Sequence, residues 1–146
     1  MTQRRRIKNK VLMFVTTNVA NRRKIFSDPA YAREAIEVLY RVKKLHPFFL
    51  YSFVIMPDHC HFLIKVPAQR SISTIMNRFK MGVSHSLGLG SIWQARFHVK
   101  IISTHASFEK YIAKNPVSAH IVEHPEDYLW GSACGRWPLD VPMHHP

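Results

Sequence analysis

The strongest constraint on the fold comes from two apolar segments that Pro57 and Asp58 separate. Residues 48–56 are apolar and aromatic, and residues 59–66 are again largely apolar. Each segment has the length of one strand, and a Pro-Asp pair between two such segments is a turn signal. The sequence therefore predicts a β-hairpin, which needs further strands or helices to cover its apolar side chains.

The segments around this hairpin alternate between strand and helix patterns. Residues 11–17 predict a first strand, and residues 93–102 predict a turn leading into a fourth strand. Apolar residues at helical spacing predict helices over 30–44, 71–87 and 104–114, the last interrupted or ended by Pro116. This order predicts an α+β fold of the ferredoxin-like, split βαβ type, with an antiparallel sheet and helices on one face.

A chain of 146 residues is expected to form one domain. We assign residues 1–10 to a basic N-terminal arm, 11–132 to the domain and 133–146 to an irregular C-terminal tail. No signal peptide pattern follows the arginine-rich start, and no apolar stretch approaches the ~18 residues of a membrane span. Cys60 and Cys134 do not make a disulfide framework. These features predict a reduced, cytoplasmic protein without a membrane partner.

The charge of the chain indicates a polyanionic partner. Lys and Arg number 21 against 9 Asp and Glu, which gives a formal net charge of +12 and a pI of about 10.2. A protein this basic is typical of nucleic-acid binding, although a solvated basic surface gives the same composition.

The third predicted strand carries the first candidate site. His59 and His61 stand at i and i+2, so they share one face of a strand and could chelate one metal ion. The residues of the other face suit a core: Cys60, Phe62, Ile64 and Val66. Taken alone, the two histidines are equally compatible with exposed or locally bonded side chains.

The third predicted helix carries a second candidate pair. Tyr111 and Asn115 stand at i and i+4, on one helix face. A tyrosine in such a place usually belongs to the core or the surface, and its ordinary pKa is ~10. Asn115 directly before Pro116 could simply end one helix or cap the next. Neither residue indicates a function alone.

Together these motifs resemble a known family. The segment 56–63, Met-Pro-Asp-His-Cys-His-Phe-Leu, resembles the His-hydrophobic-His motif of the HUH single-strand nucleases. The wider pattern is similar to the IS200-like (Y1) transposases, and in particular to the REP-associated tyrosine transposases. Three more segments carry the resemblance, which covers roughly residues 11–132: 14–26, 93–98 and 111–130.

The resemblance implies a function as a metal-dependent single-stranded DNA endonuclease and strand transferase. His59 and His61 would ligate a divalent cation, Mg²⁺ or Mn²⁺, and Asn115 would add a third ligand through its amide oxygen. Tyr111 would attack a phosphodiester, leaving a 5′-phosphotyrosine linkage and a free 3′-hydroxyl. Because this linkage keeps the bond energy, a 3′-hydroxyl can later rejoin strands without ATP.

Recognition of the DNA, single-stranded with or without a hairpin, is expected to come from the domain itself, because no basic region follows Trp137. The candidate DNA contacts are basic side chains: Arg4, Arg5, Arg6, Arg22, Arg23, Arg78, Lys80 and Arg96. The sequence leaves open whether the protein acts as a monomer or a homodimer, and whether Tyr111 serves the site of its own chain.

Two other functions stay open at this point. One is a domesticated, sequence- or hairpin-specific DNA-binding protein without strand transfer, although the intact set of His59, His61, Tyr111 and Asn115 speaks against it. The other is a zinc protein that uses the two histidines and Cys134. Structural zinc sites favour four nitrogen or sulfur ligands, and no further ligands stand at a recognisable spacing.

Overall fold

The computed structural model describes residues 11–142, so the predicted contacts from Arg4, Arg5 and Arg6 lie outside the described residues. The strands are β1 (Leu12–Val19), β2 (Phe49–Met56), β3 (His59–Lys65) and β4 (Trp93–Ile102). The helices are α1 (Pro29–Leu45), α2 (Ile72–Leu87) and α3 (His105–Ser118). Within the described range, no helix has the length and apolar character needed to cross a membrane.

The four strands form one antiparallel sheet in the order β2-β3-β1-β4. β2 and β3 are joined by the predicted turn at Pro57 and Asp58, and the chain crosses over through α1 and α2. The element sequence β-α-β-β-α-β is that of the split βαβ fold. The predicted fold class is confirmed.

α1 and α2 cover one face of the sheet and enclose the larger core. α1 begins after Asp28, whose side chain accepts a hydrogen bond from the Ala30 N–H at 2.9 Å. α2 begins after Ser71, whose hydroxyl accepts from the Thr74 N–H at 3.4 Å. The predicted apolar face of β3 is buried in this core: Cys60, Phe62, Ile64 and the following Val66.

α3 lies on the opposite face of the sheet. Its Ile112 is buried in a second, smaller core together with Tyr51, Met56 and Leu63. Side chains alternate between the faces of a strand, so Leu63 and Phe62 point to opposite sides. The expectation that helices lie on one face of the sheet therefore holds for α1 and α2. α3 comes after the βαββαβ unit in the sequence, and it covers the other face.

α3 continues through Pro116, which corrects the prediction that this proline interrupts or ends the helix. The helix ends at Ser118, and the Ala119 N–H donates to the Asn115 carbonyl at 3.0 Å. A proline inside a helix removes one backbone hydrogen bond. Here it stands in the last turn, so few bonds depend on it, and its ring is buried. Asn115 is therefore an internal helix residue that neither ends one helix nor caps another.

The predicted irregular tail begins with a short 3-10 helix (Ser132–Cys134), is irregular over 135–142, and is attached to the domain. The Asp140 N–H donates to the Leu50 carbonyl at 2.9 Å, and the Leu50 N–H donates to the Asp140 carboxylate at 2.8 Å. Lys43 of α1 forms an ion pair with the same carboxylate at 3.0 Å. Gly131 pairs with Val54 in an isolated bridge. These contacts cover backbone groups of β2 at an edge of the sheet, where they would otherwise be unpaired.

Candidate active site

His59 and His61 lie at the start of β3, on the face of the sheet that α3 covers. Their ring centroids are 4.7 Å apart. Both side chains are largely shielded from solvent: His61 is 6% exposed, and the side chain of His59 is 14% exposed. The strand geometry thus brings the two imidazoles to one place, as the i and i+2 spacing requires.

Each imidazole has a hydrogen-bonding partner at Nδ1. Asp58 Oδ1 lies 2.6 Å from Nδ1 of His59, and Thr16 Oγ1 lies 2.9 Å from Nδ1 of His61. A partner at Nδ1 fixes the ring and leaves Nε2 for a ligand, as in metal-binding histidines generally. Sequence reasoning missed both partners. Asp58 was detectable because it adjoins His59, whereas Thr16 meets His61 only through the pairing of β1 with β3.

The surroundings keep His61 neutral and Asp58 charged. Burial, the neighbouring His59 and the Arg22 guanidinium lower the pKa of His61 from 6.5 to about 3. Burial raises the pKa of Asp58, but the hydrogen bonds and charges of His59 and Arg22 outweigh it, so this pKa lies below its ordinary value. A neutral imidazole offers the lone pair that a metal needs.

Arg22 is tied into the site by two side chains. Its Nε donates to Asp58 Oδ2 at 3.0 Å, and its Nη1 donates to Asn18 Oδ1 at 3.0 Å. Asn21 and Arg22 both adopt positive φ angles, of 56° and 53°, which residues other than glycine rarely do. This left-handed turn after β1 directs Arg22 back to the carboxylate that holds His59.

α3 brings Tyr111 and Asn115 to the histidines of the same chain. The ring centroids of Tyr111 and His61 are 5.7 Å apart, and Tyr111 is 53% exposed. Phe14 packs against both, stacked on His61 at 4.9 Å and edge-on to Tyr111 at 5.7 Å. Asn115 Nδ2 lies 3.5 Å from the Tyr111 carbonyl, and no described residue donates a hydrogen bond to its amide oxygen.

A cavity of about 820 Å³ opens beside these residues, and His59, Tyr111 and Asn115 are part of its wall. The wall is built from the loop after β1, the β2–β3 turn, the second half of α3 and the segment that follows it. The wall also includes cationic and aromatic or aliphatic side chains, among them Arg22, Lys24, Lys114, Ile121, Tyr128 and Trp130. Lys114 and Ile121 were not singled out from the sequence, which gives no sign that they meet.

The other predicted DNA contacts within the described residues do not line this cavity. Arg23, Arg78 and Arg96 are exposed, on the loop after β1, on α2 and on β4 respectively. Lys80 is only partly exposed, and its Nζ donates to the Gln94 carbonyl at 2.8 Å. Burial lowers the pKa of Lys80. This side chain therefore links α2 to the start of β4.

The arrangement gives no support to a zinc site. In the range 11–142, no three His, Cys, Asp or Glu side chains are placed to hold a metal ion. Cys134, the proposed third zinc ligand, has its Sγ 3.7 Å from the Leu129 carbonyl. Asn115, which carries an amide oxygen, lines the same cavity as His59.

Comparison with protein families and curated proteins gives two matches. The model of the family described as "Transposase IS200 like" matches residues 8–115. A curated protein of Escherichia coli (strain K12), "REP-associated tyrosine transposase", is 30% identical over 138 residues, which cover 87% of this chain and 82% of that protein.

Comparison with solved structures also finds similarity to transposases. A structure described as "the REP associates tyrosine transposase bound to a REP hairpin" has a TM-score of 0.78 and 27% identity, and the match covers 99% of this chain and 93% of that chain. A putative transposase from Deinococcus radiodurans R1 has a TM-score of 0.56 and 19% identity, over 77% of this chain and 95% of that one. The second match supports the fold alone.

Proposed function

This chain belongs to the family of IS200-like transposases, and from that membership we propose that it cleaves and rejoins single-stranded DNA through a covalent tyrosine intermediate. Tyr111 is the nucleophile, and His59, His61 and Asn115 hold a divalent cation. The observation that carries the proposal is the packing of Tyr111 against His61 within one chain, with ring centroids 5.7 Å apart. A site of this kind is complete in a monomer.

The donor set fits a divalent cation. Asp58 and Thr16 occupy the Nδ1 atoms of the two histidines, and neither Nε2 has a hydrogen-bond partner in the described part of the chain. Two imidazoles and an amide oxygen bind Mn²⁺ more readily than Mg²⁺, which prefers oxygen ligands. When bound, the cation supplies Lewis-acid polarisation of a phosphate oxygen.

The covalent step is assigned to the exposed phenol of Tyr111. A protonated phenol is a poor nucleophile, so the hydroxyl gives up its proton as its oxygen attacks phosphorus. The bond from phosphorus to the 3′ oxygen breaks, and that oxygen takes up a proton as a free 3′-hydroxyl. The tyrosine keeps the 5′-phosphate. Attack by a 3′-hydroxyl on this linkage reverses the step, joins the strands and restores Tyr111.

The proposed partner is single-stranded DNA that carries a hairpin. A similar solved protein is described as bound to a REP hairpin, and this chain has a net charge of +12. Arg22, Lys24 and Lys114 line the cavity beside Tyr111, where they can neutralise phosphates next to the one that reacts. We place this reaction in the cytoplasm, where bacterial DNA lies.

The test is covalent capture of single-stranded oligonucleotides taken from the DNA around the gene, in the presence of Mn²⁺. A label at the 3′ end should stay with the protein through denaturing electrophoresis, because the 5′-phosphate of the downstream fragment is bonded to Tyr111. A label at the 5′ end should leave on a shorter fragment with a 3′-hydroxyl. EDTA should prevent both products. Binding without any adduct would instead identify a domesticated DNA-binding protein.

A series of ligand variants tests the proposed cation site. His59→Ala and His61→Ala should each abolish the adduct, since one remaining imidazole holds a divalent cation poorly. Asn115→Ala should have a milder effect that excess Mn²⁺ reduces, because water can replace a neutral amide oxygen. Equal loss in all three variants would contradict the proposed role of Asn115. His85→Ala, at an exposed position of α2 outside the cavity wall, is the matched control.

A further inference from the structure

The cavity beside Tyr111 has an apolar wall that the chemistry described above does not use. Ile121, Tyr128 and Trp130 belong to this wall. Ile121 is 44% exposed, and Trp130 is only partly buried, packed against both cores. An exposed isoleucine beside a partly exposed tryptophan in a concave site is typical of a surface that takes a ligand.

Hydrogen bonds to β2 fix this wall in place. The Tyr128 hydroxyl donates to the Ile55 carbonyl at 2.6 Å, and the Ile55 N–H donates to the Trp130 carbonyl at 2.7 Å. Ile55 lies one residue before the end of β2, so the wall is attached close to the turn that carries Asp58. An aromatic surface held this rigidly loses little entropy when a flat ligand stacks on it.

The charges in the same cavity define the ligand further. Arg22, Lys24 and Lys114 line it, while the one carboxylate in the wall, Asp58, is paired with Arg22 and His59. Positive charge beside an aromatic wall is the combination that binds a nucleotide, with the phosphate near the cations and the base on the ring. The volume of about 820 Å³ falls within the ~300–1,000 Å³ of small-molecule pockets.

We propose that Ile121 and Trp130 form a pocket for one nucleobase of the single-stranded substrate, next to the phosphate that Tyr111 attacks, with Tyr128, which is 7% exposed, fixing the pocket wall to β2. The proposal rests on the proposed function, because it takes the substrate to be single-stranded DNA. The Tyr128 hydroxyl is engaged with Ile55 and does not read the edge of the base. Stacking on the ring faces accepts any base, so the pocket holds the strand in position and adds little sequence preference.

Binding can be measured without the reaction. The Tyr111→Phe protein in EDTA is titrated with the decamer of deoxythymidine and with an abasic decamer of the same charge. Stacking on Trp130 should quench tryptophan fluorescence with the thymidine decamer and not with the abasic one. Trp130→Phe should remove this quenching, and Trp137→Phe, whose indole N–H donates to the Leu129 carbonyl outside the cavity wall, should retain it.

An exposed aliphatic pair gives a second comparison in which folding is not at risk. Ile121→Ala should weaken binding of the thymidine decamer roughly 3- to 10-fold, because the truncation removes part of the apolar surface that the base would cover. Leu129→Ala should have no effect, since Leu129 is 39% exposed and does not line the cavity. Equal affinity in both variants, or unchanged fluorescence with the thymidine decamer, would overturn the pocket.

The cleavage assay separates this inference from the proposed function. In an oligonucleotide that yields the adduct, one abasic residue is moved through the positions on either side of the cleaved phosphate. One adjoining position should lower the adduct rate in the wild-type protein. An adduct rate that is the same for every abasic position, with normal adduct yield, would contradict the pocket but not the strand-transfer function. Quenching at Trp130 with no adduct from any oligonucleotide would support the base pocket and contradict the strand-transfer function.

Discussion

The two residues that hydrogen-bond to His59 and His61 differ in charge. Asp58 is an ionised carboxylate at Nδ1 of His59 and also accepts from Arg22, whereas Thr16 brings a neutral hydroxyl to His61. A carboxylate partner fixes the tautomer of an imidazole and raises its strength as a ligand. We therefore propose that Asp58 positions His59 without being a ligand itself.

Asp58→Asn should weaken the binding of the cation about 10- to 100-fold, which is the usual effect of losing a partner of a ligating histidine. The measurement is the Mn²⁺ concentration that gives half-maximal adduct. Saturating Mn²⁺ should restore the yield, which separates positioning from loss of a ligand. Asp127→Asn, at an exposed site outside the cavity wall, is the control. An unchanged Mn²⁺ requirement in Asp58→Asn would refute the positioning role.

Tyr111→Phe should abolish the covalent adduct and leave folding and DNA binding nearly intact. The residue is 53% exposed, so losing its hydroxyl removes no buried hydrogen bond. Thermal unfolding and fluorescence anisotropy with a labelled single strand measure the two properties that should persist. Tyr31→Phe, outside the cavity wall, controls for loss of a phenol as such. An adduct that survives in Tyr111→Phe would show that another tyrosine is the nucleophile.

At the scale of elements, α1 and α2 pack closely at Gly82. A Cβ atom built on this glycine would lie 2.8 Å from Val38 Cγ1. Val38 is 3% exposed, and a β-branched side chain in a helix has little freedom to move aside. Gly82 is thus the residue that allows the two helices to approach.

Gly82→Ala should lower the free energy of unfolding by about 1–2 kcal/mol. Overpacking costs ~1–3 kcal/mol, and the better helix propensity of alanine returns up to ~1 kcal/mol. Urea unfolding measures the difference. Met81→Ala, on the neighbouring residue of α2 that is 65% exposed, should change stability by less than ~0.5 kcal/mol. Stabilisation by Gly82→Ala would contradict this prediction, because it would mean that α1 and α2 can move apart slightly with little loss of free energy.

Local patterns were sufficient to predict most elements. The starts of α1 and α2, the turn at Pro57 and the apolar face containing Cys60 all depend on neighbours in the chain, and all are present. The side of the sheet that α3 covers depends on residues far away in the sequence. The residue pattern of α3 itself therefore does not predict that side. Pro116 was misjudged because the cost of a proline depends on how many helical bonds follow it.

The residues of the candidate site also differ in whether the local sequence predicts their contacts. The shared face of His59 and His61 follows from the two-residue period of a strand. The partner of His61 does not, because Thr16 stands 45 residues away and reaches it only through strand register. Arg22 was proposed from its charge alone, and its bonds to Asp58 and Asn18 depend on a left-handed turn that no local motif indicates.

At the scale of the whole molecule, the net charge of +12 should make DNA binding strongly salt-dependent. Affinity for a single strand should fall with salt with a log–log slope of about −0.7 for each phosphate contacted. Fluorescence anisotropy between 50 and 300 mM KCl, roughly the range over which such contacts weaken, measures the slope. Arg22→Gln and Lys114→Gln should each reduce it by about one contact. A flat response would show that the basic residues are only a solvated surface.

The division of the sheet into two faces has a consequence for the history of such genes. Cys60, Phe62 and Ile64 hold the larger core on one face, while His59, His61 and the half-exposed Tyr111 stand on the other. If Tyr111 is the nucleophile, as we propose, one codon change there should end strand transfer while the encoded protein still folds and binds DNA. Such a copy could then be kept by its host for DNA binding alone, because the loss of mobility would not require a loss of folding.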